Sequence, residues 1–398
     1  MNIKIILNQP YPHGMACTNR IHYYAKALKE LNHQVEIIIP IPLEQPKEAK
    51  NHEAAGQYEG VRFRYATDSP YRSTSFLQRR IEDAVGPLRV AHRLLSSKQK
   101  PDVILLVSNS VFHTIVFKVV STILRAAYLL EKSELPFAFS KQKKVLSGLY
   151  RRIHNRLIYR RFDGIIVISE QLLAFFAPLV KTSASLLLVP VIVNLKEFDA
   201  FEEDVSAEKY IAYAGNLSNH KDGIVTLIEA FSQITLQGID VKLYLIGKPT
   251  ASAKELVDAL IKKHQLQAKV VQTGYVSRGD LLTYLKGARV LALAKPDSTQ
   301  GNFCFPSKLG EYLATAKPVV TTRVGEIASY LEHGKTAYLA DPDDSKAFAD
   351  TLSQALSRPE EAEKVGKAGK ELANEKFNYQ TQGKRIATYM QSLIERNK

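Results

Sequence analysis

Residues 302–320 read NFCFPSKLGEYLATAKPVV, a loop, a short helix and a strand in succession. Pro306 suits the first turn of a helix, where its missing N–H costs nothing. Lys317-Pro318 ends that helix, and the β-branched residues after it predict a strand. A loop that enters a helix offers free N–H groups and a positive dipole end, which suit a diphosphate. Glu311, one turn in, can accept hydrogen bonds from neighbouring hydroxyls such as those of a ribose. The stretch is therefore either an ordinary βα unit or a site for a nucleoside diphosphate and a sugar.

Length and composition indicate a globular protein of two domains. A chain of 398 residues exceeds what one typical hydrophobic core holds together. Charged residues make up 24% of it, as in ordinary globular proteins. Cys17 and Cys304 are too few for a disulfide framework and predict a reducing compartment. Because residues 2–7 already have a strand pattern, we expect no signal peptide and a cytoplasmic protein.

The longest apolar stretch, residues 111–130, contains His113, Lys118 and Arg125. Such charges argue against a membrane-spanning helix. We predict a buried helix followed by a strand. His113 is either a core residue of that helix or a further acceptor-side candidate.

The net charge of +14 is unevenly distributed. Residues 1–195 hold 27 Lys and Arg against 14 Asp and Glu, whereas residues 196–398 hold 27 against 26. The densest part, residues 141–161, has eight Lys and Arg and no acid, with leucines and isoleucine at helical spacing. This basic amphipathic helix either packs on the domain or also contacts lipid headgroups, so an anionic membrane surface at the inner face is a predicted partner. The chain has no motif that reads nucleic acid, and we expect no nucleic-acid partner.

Strands and helices alternate in both halves, with an irregular acidic break after residue 195. In the first half we predict strands at 3–7, 34–39, 61–65, 102–107, 127–130, 164–168 and 185–189. In the second we predict strands at 210–214, 241–246, 270–273, 290–294 and 319–322. This predicts an α/β protein with two Rossmann-like domains, 1–195 and 196–377, and a C-terminal helix at about 378–398 that packs back on the first. Ligands of such sheets bind beyond the carboxyl ends of the strands, across a cleft between the domains.

Two loops after strands carry candidate residues. The first, residues 8–18, has Gly14 alone, where a dinucleotide fingerprint needs three glycines. It is either a plain turn or a place of close backbone approach to a ligand. The second, residues 215–223, places Lys221 just before a helix, where its ammonium could help hold a phosphate.

These motifs give the second half a strong resemblance to the nucleotide-binding domain of family 4 retaining glycosyltransferases, which have the GT-B fold. The matching segments are 189–198, 213–217 with 221–223, 243–247, 274–276 and 305–320. The first half matches more loosely, through the Gly14 loop and Val167-Ile168-Ser169. The resemblance implies transfer of a sugar from a nucleotide diphosphate sugar with retained configuration, no cofactor and no metal. It places Lys221 at the donor diphosphate and Glu311 at the ribose. The donor-binding candidates are Gly14, Gly215, Asn216, Lys221, Phe305, Pro306, Ser307, Lys308 and Glu311.

The chain departs from the family pattern at two positions. Asn216 stands where the family often has Arg, and Phe303 stands where it has the first of two glutamates. We hypothesise that Lys308 supplies the missing cation. Backbone N–H groups at residues 305–307 would then serve the sugar.

The acceptor side is less clearly marked. The family often has a His after the central strand of the first domain, and residues 128–137 contain none. We nominate Glu134, then Glu131, as base or acceptor-orienting group, with Lys221 on the leaving group. A solvated loop acid is the alternative for these carboxylates. Residues 341–344, DPDD, predict a turn and a helix N-cap rather than a metal site.

The resemblance thus implies a metal-independent hexosyltransferase, and together with the basic first half it predicts a glycan or lipid-linked acceptor in bacterial surface polysaccharide synthesis. Two alternatives remain open: a sugar-nucleotide epimerase of GT-B-like fold, and a non-catalytic sugar-nucleotide-binding partner subunit.

Overall fold

The structure is a computed structural model that describes residues 1–47, 49–135, 155, 157–181, 185–201 and 208–397. The chain divides into two compact units. The first comprises Met1–Ile192 and Tyr379–Lys398, and the second Val193–Asn378. The basic segment at residues 141–161 lies mostly outside the described residues.

The first unit is built on a sheet with strand order β3-β4-β2-β1-β5-β6-β7-β8. Its strands are β1 Asn2–Leu7, β2 Gln34–Ile39, β3 Ala55–Tyr58, β4 Val61–Tyr65, β5 Val103–Val107, β6 Ala127–Lys132, β7 Gly164–Val167 and β8 Ser185–Leu188. All neighbouring strands pair in parallel except β3 and β4. Most of these strands are continuous runs of apolar residues, because helices cover both faces of a parallel sheet. Besides the C-terminal helix, the helices described in this unit include α1 Ala16–Glu30, α2 Phe76–Ser96, α3 Val111–Leu124 and α4 Glu170–Phe176.

Two details of this sheet differ from the sequence-based expectation. The antiparallel strand β3 was not predicted, because AGQY carries little apolar signal and its pairing with β4 supplies the order. Strand β6 was expected to end at Leu130 but continues to Lys132. Glu131 is therefore a strand residue and not part of the following loop.

The C-terminal helix, Tyr379–Arg396, completes the core of the first unit. Ile386, Met390 and Leu393 belong to the same buried cluster as the sheet residues. The Tyr379 hydroxyl donates a hydrogen bond of 2.7 Å to Glu30 at the end of α1. The last helix is amphipathic because its apolar side packs on this core and its polar side faces solvent.

The second unit is a parallel sheet with strand order β11-β10-β9-β12-β13-β14. Its strands are β9 Tyr210–Ala214, β10 Lys242–Ile246, β11 Val270–Gly274, β12 Val290–Leu293, β13 Val319–Thr322 and β14 Tyr338–Ala340. Its helices are α5 Leu195–Asp199, α6 Asn219–Asp222, α7 Ile224–Leu236, α8 Ala251–Lys263, α9 Arg278–Gly287, α10 Thr299–Phe303, α11 Ser307–Ala314, α12 Ile327–Tyr330, α13 Ser345–Ser357 and α14 Pro359–Lys376. The chain order reverses between β9 and β12. Such a switch point is where open α/β sheets bind ligands.

The expected turn and N-cap at residues 341–344 are confirmed. The Asp344 carboxylate accepts hydrogen bonds of 2.9 Å from the N–H groups of Lys346 and Ala347 at the start of α13. This satisfies donors that a helix start leaves unpaired.

Residues 111–130 form α3 and β6, as predicted. Among the described residues, we find no helix with the length and hydropathy needed to cross a bilayer.

His113, in the first turn of α3, is buried, and the hydroxyl of Ser108 lies 3.0 Å from its Nδ1. Burial lowers the pKa of His113 to about 4. Because the unfolded chain binds a proton here near pH 6.5, the contribution of His113 is complete above that pH and is lost as pH falls toward 4. We expect the free energy of unfolding to fall by about 2 kcal/mol between pH 7 and 5 from this group.

Urea unfolding at the two pH values, with His113→Asn as the comparison, measures that contribution. The variant should lose less stability on acidification than the wild type. Equal losses in both proteins would contradict the assignment.

Candidate functional site

The candidate site of the second unit lies at the carboxyl ends of β9 and β12. Tyr312 of α11 binds this edge directly, since its hydroxyl accepts a 2.7 Å hydrogen bond from the N–H of Ala214, the last residue of β9. The bond holds the α11 helix, and with it Lys308 and Glu311, beside the switch point.

Lys308 is the centre of a buried polar cluster. Its Nζ donates a 2.9 Å hydrogen bond to the Tyr213 hydroxyl and forms an ion pair with Asp222. The side chains of Lys308 and Asp222 are 22% and 12% exposed. Burial lowers the pKa of Lys308, whereas Asp222 opposes that shift. A partly desolvated ammonium of this kind interacts strongly with an added anion.

Gly215 lies directly against Lys308. A Cβ at this position would meet the Lys308 Nζ and would lie 2.5 Å from the Tyr213 hydroxyl. The loop backbone also packs on the next loop, where a Cβ on Gly247 would meet the carbonyl oxygen of Gly215. The absence of a side chain at Gly215 therefore lets the loop approach the ammonium.

Gly215→Ala is expected to weaken binding of a nucleoside diphosphate about tenfold, because the added methyl displaces the Lys308 ammonium. Isothermal titration calorimetry measures the affinity. Gly279→Ala is the matched control, since the nearest atom to its new Cβ is 3.9 Å away. Unchanged affinity in Gly215→Ala would contradict the placement of Lys308 in the site.

Two further lysines surround this cluster. Lys221 is exposed in α6, and the Ser218 hydroxyl accepts a hydrogen bond from its N–H. Lys295 follows β12 and is buried; its Nζ lies 3.4 Å from the carbonyl oxygen of Lys221, and burial lowers its pKa. The structure therefore brings together Lys221 and Lys308, which the sequence nominated, and adds Lys295 and Asp222. Asp222 follows Lys221 directly, but only the fold places it against Lys308.

Glu311 forms an ion pair that the sequence did not predict. Arg278 Nη1 donates a 2.7 Å hydrogen bond to Glu311 Oε1. The same guanidinium donates to both carboxylate oxygens of Glu197, at 2.7 and 3.0 Å. It also lies over the ring of Phe198, 5.7 Å from its centroid. Arg278 thus fixes the orientation of the Glu311 carboxylate relative to α5 and α9.

The other donor-side candidates lie around the start of α11. Pro306 occupies the N-cap position, with φ −68° and ψ 119°, and Ser307 is exposed at the first helical position. Phe305 is buried and stacks on Tyr330, so its side chain packs in the core. Only its backbone is in a position to serve a ligand. Asn216 is exposed in the loop after β9.

Gly14 lies in the first unit, in the loop before α1. A Cβ on Gly14 would meet Thr18 Oγ1 and would lie 2.9 Å from the carbonyl oxygen of Pro10. Glycine is thus required for this loop to fold on itself. Its proposed contact with the donor stays a prediction.

Of the two acceptor-side carboxylates, Glu131 is buried at the end of β6. Arg20 Nε donates to it at 2.9 Å, and the Ser133 hydroxyl donates to the same oxygen. Arg20 also donates to the carbonyl oxygens of Val189 and Pro190, both at 2.6 Å. This network ties β6 to the chain after β8. Glu131 therefore has a structural role, which is independent of the catalytic role proposed for it.

Glu134 is exposed in the bend that follows β6. Between the two acids, Lys132 is buried and its Nζ donates to the carbonyl of Ser108 and to the side chain of Asn109. Burial lowers the pKa of Lys132 to about 8. The catalytic roles of Glu134 and Glu131 stay predictions. No group of three His, Cys, Asp or Glu in the described part of the chain is arranged to hold a metal ion.

Comparison with solved structures defines the class of fold. The chain is similar to sucrose-phosphate synthase from Thermosynechococcus elongatus, with a TM-score of 0.74, 18% identity and 99% of each chain covered. It is also similar to Anabaena Alr3699/HepE solved with UDP and glucose, with a TM-score of 0.71, 16% identity, and coverage of 98% of this chain and 100% of that one. The fold is GT-B, as predicted.

Sequence comparison finds a likeness in the second unit. Residues 196–372 match the family model described as glycosyl transferases group 1. Among curated relatives, the lipopolysaccharide 1,2-N-acetylglucosaminetransferase of Salmonella typhimurium is 26% identical over 208 residues, 51% of this chain and 52% of that protein. The chain thus spans about half the length of this relative.

Proposed function

We propose that the protein is a glycosyltransferase that moves a sugar from a nucleotide diphosphate sugar to an acceptor hydroxyl, with retained anomeric configuration. The observation that carries this proposal is that Lys221 and Lys295 lie near Lys308 at the start of α11, with Glu311 one turn further. The lysines match a diphosphate in charge, and the carboxylate suits a pair of ribose hydroxyls. The group 1 match over the second unit and the names of the relatives support the same activity.

The reaction breaks the bond between the sugar C1 and the β-phosphate oxygen and forms a bond from C1 to the acceptor oxygen. The acceptor proton passes to a base, for which Glu134 is the first candidate and Glu131 the second. Negative charge develops on the departing diphosphate. Preorganised ammonium groups and the N–H groups at the start of α11 would stabilise this negative charge. In other transferases a metal ion does so. We propose that no metal or cofactor is needed.

The proposed acceptor is a glycan or a lipid-linked sugar of a bacterial surface polysaccharide. The excess of positive charge in residues 1–195 supports an anionic or membrane-borne acceptor. We place the enzyme in the cytoplasm, at the inner membrane face, and assign hexose transfer to it.

The test begins with a thermal-shift screen against UDP-, GDP- and ADP-sugars. The best donor is then followed for hydrolysis and transfer, with and without a chelator, in the wild type and in Glu311→Ala. Transfer that is lost in Glu311→Ala and survives the chelator supports the proposal. The anomeric configuration of the product reports retention.

Three results would contradict the proposed function. Donor binding without turnover would favour the non-catalytic binder. Conversion of the donor sugar to its epimer would favour an epimerase. If no nucleotide sugar stabilises the fold, the nucleotide site itself is wrong.

A further inference from the structure

Helix α3 of the first unit has an apolar outer face. Its exposed apolar residues are between 38% and 60% exposed: Val111, Phe112, Ile115, Val119 and Ile123. Within this helix, which is described throughout, Thr122 is the one exposed polar residue. Single exposed apolar side chains are common, but a continuous stripe at helical spacing marks an interaction surface.

Helix α2 continues the apolar surface and adds positive charge. Its exposed apolar residues are Phe76, Leu77, Ile81 and Leu88, with exposed fractions from 51% to 69%. Exposed Arg80, Arg89 and Arg93 lie on the same helix, and the Arg80 guanidinium is 5.1 Å from the Phe76 ring centroid.

The two acids of α2 oppose only part of this charge. Glu82 and Asp83 are half-buried, and both form ion pairs with Arg72, at 3.8 and 2.5 Å. Asp83 also lies 3.6 Å from Arg80. The positive charge that α2 offers a partner therefore rests mainly on the exposed Arg89 and Arg93.

The two helices form one surface. Helices α2 and α3 pack against each other. The negative charge of Asp83, in the third turn of α2, acts on His113 in the first turn of α3. The third turn of α2 therefore lies near the apolar first turn of α3. Because α3 begins directly after β5, this end of the surface lies at the carboxyl edge of the sheet.

We infer that this α2–α3 face, the exposed residues of α2 and α3 named above, docks on a bilayer that contains anionic lipid. Apolar side chains that enter the acyl boundary, together with arginines that meet lipid phosphates, are the combination such a surface binds. The face is separate from residues 141–161, and its docking does not depend on the proposed transfer reaction. It would bring the carboxyl edge of the first sheet to the membrane plane.

Vesicle flotation of the full chain without nucleotide tests the inference. Phosphatidylcholine vesicles are compared with vesicles of phosphatidylcholine and phosphatidylglycerol. The wild type should float with the anionic vesicles, and added salt should weaken binding. The triple variant Ile115→Ser, Val119→Ser, Ile123→Ser should bind about thirtyfold more weakly or worse. Arg89→Glu with Arg93→Glu should reduce binding to the level of neutral vesicles.

Matched controls come from the second unit. Leu236 is 87% exposed, and Leu236→Ser removes an apolar side chain outside the α2–α3 face. Lys262→Glu with Lys263→Glu reverses two exposed charges on α8. Both controls should float like the wild type.

Three results would overturn the inference. The first is a wild type that does not float with anionic vesicles. The second is a triple variant that floats as well as the wild type; if that variant also melts at a lower temperature, the chain itself covers the face. The third is a wild-type dimer, detected by light scattering, that the triple variant dissociates, which assigns the face to a second copy.

Discussion

Lys308→Met is expected to lower kcat/KM for sugar transfer by about a hundredfold or more, the usual cost of removing one preorganised donor from a developing negative charge. The ammonium is partly buried and already oriented by the Tyr213 hydroxyl and Asp222. It therefore needs little rearrangement when the diphosphate leaves. The measurement is steady-state transfer with the donor found in the thermal-shift screen.

Loss of activity could also follow from damage to the fold, since Lys308→Met leaves the Asp222 carboxylate buried without its ammonium. The double variant Lys308→Met, Asp222→Asn removes that unpaired charge. It should recover stability in urea unfolding while transfer stays low. Recovery of both would mean that Lys308 acts only on the fold.

The phosphate contact has its own readout. Loss of Lys308 should weaken binding of the nucleoside diphosphate more than binding of the monophosphate, which lacks the outer phosphate. Lys262→Met, at an exposed lysine of α8, serves as the control for removal of a charge. An equal loss for both nucleotides in Lys308→Met would contradict a diphosphate contact.

Much of the fold could be predicted from the sequence because its strands are continuous apolar runs between helical patterns. Strand β4 and the α3–β6 pair lie where the pattern placed them. The pattern failed at β3, whose four residues have little apolar content and depend on a partner strand.

The candidate site was only partly predictable. Lys221, Lys308 and Glu311 were nominated because each lies close to a helix start that the sequence marks, and their roles at a donor stay predictions. Asp222 and Arg278 were missed because their partners are 86 and 33 residues away in the chain. Pairs of this kind depend on how elements pack, and spacing along the chain does not encode them. The one feature of the sequence that could have pointed to Asp222 and Arg278 is their position, since both lie in loops or first turns after parallel strands.

Arg278→Met is expected to weaken nucleoside diphosphate binding about tenfold through the orientation of Glu311. The guanidinium holds Glu311 Oε1 at 2.7 Å while it is itself held by both oxygens of Glu197. A carboxylate has a second oxygen with its own lone pairs, which a ribose hydroxyl can use once the group is oriented. Lysine cannot replace this planar fork, so Arg278→Lys should resemble Arg278→Met.

The test compares a ribonucleotide with its 2′,3′-dideoxy analogue by calorimetry. The wild type should prefer the ribonucleotide, Glu311→Ala should lose that preference, and Arg278→Met should lose most of it while still folding. Arg289→Met, at an exposed arginine of the same unit, should keep the wild-type preference. If Arg278→Met weakens both nucleotides equally, the guanidinium acts elsewhere, because orientation of Glu311 matters only for a ligand that carries the hydroxyls.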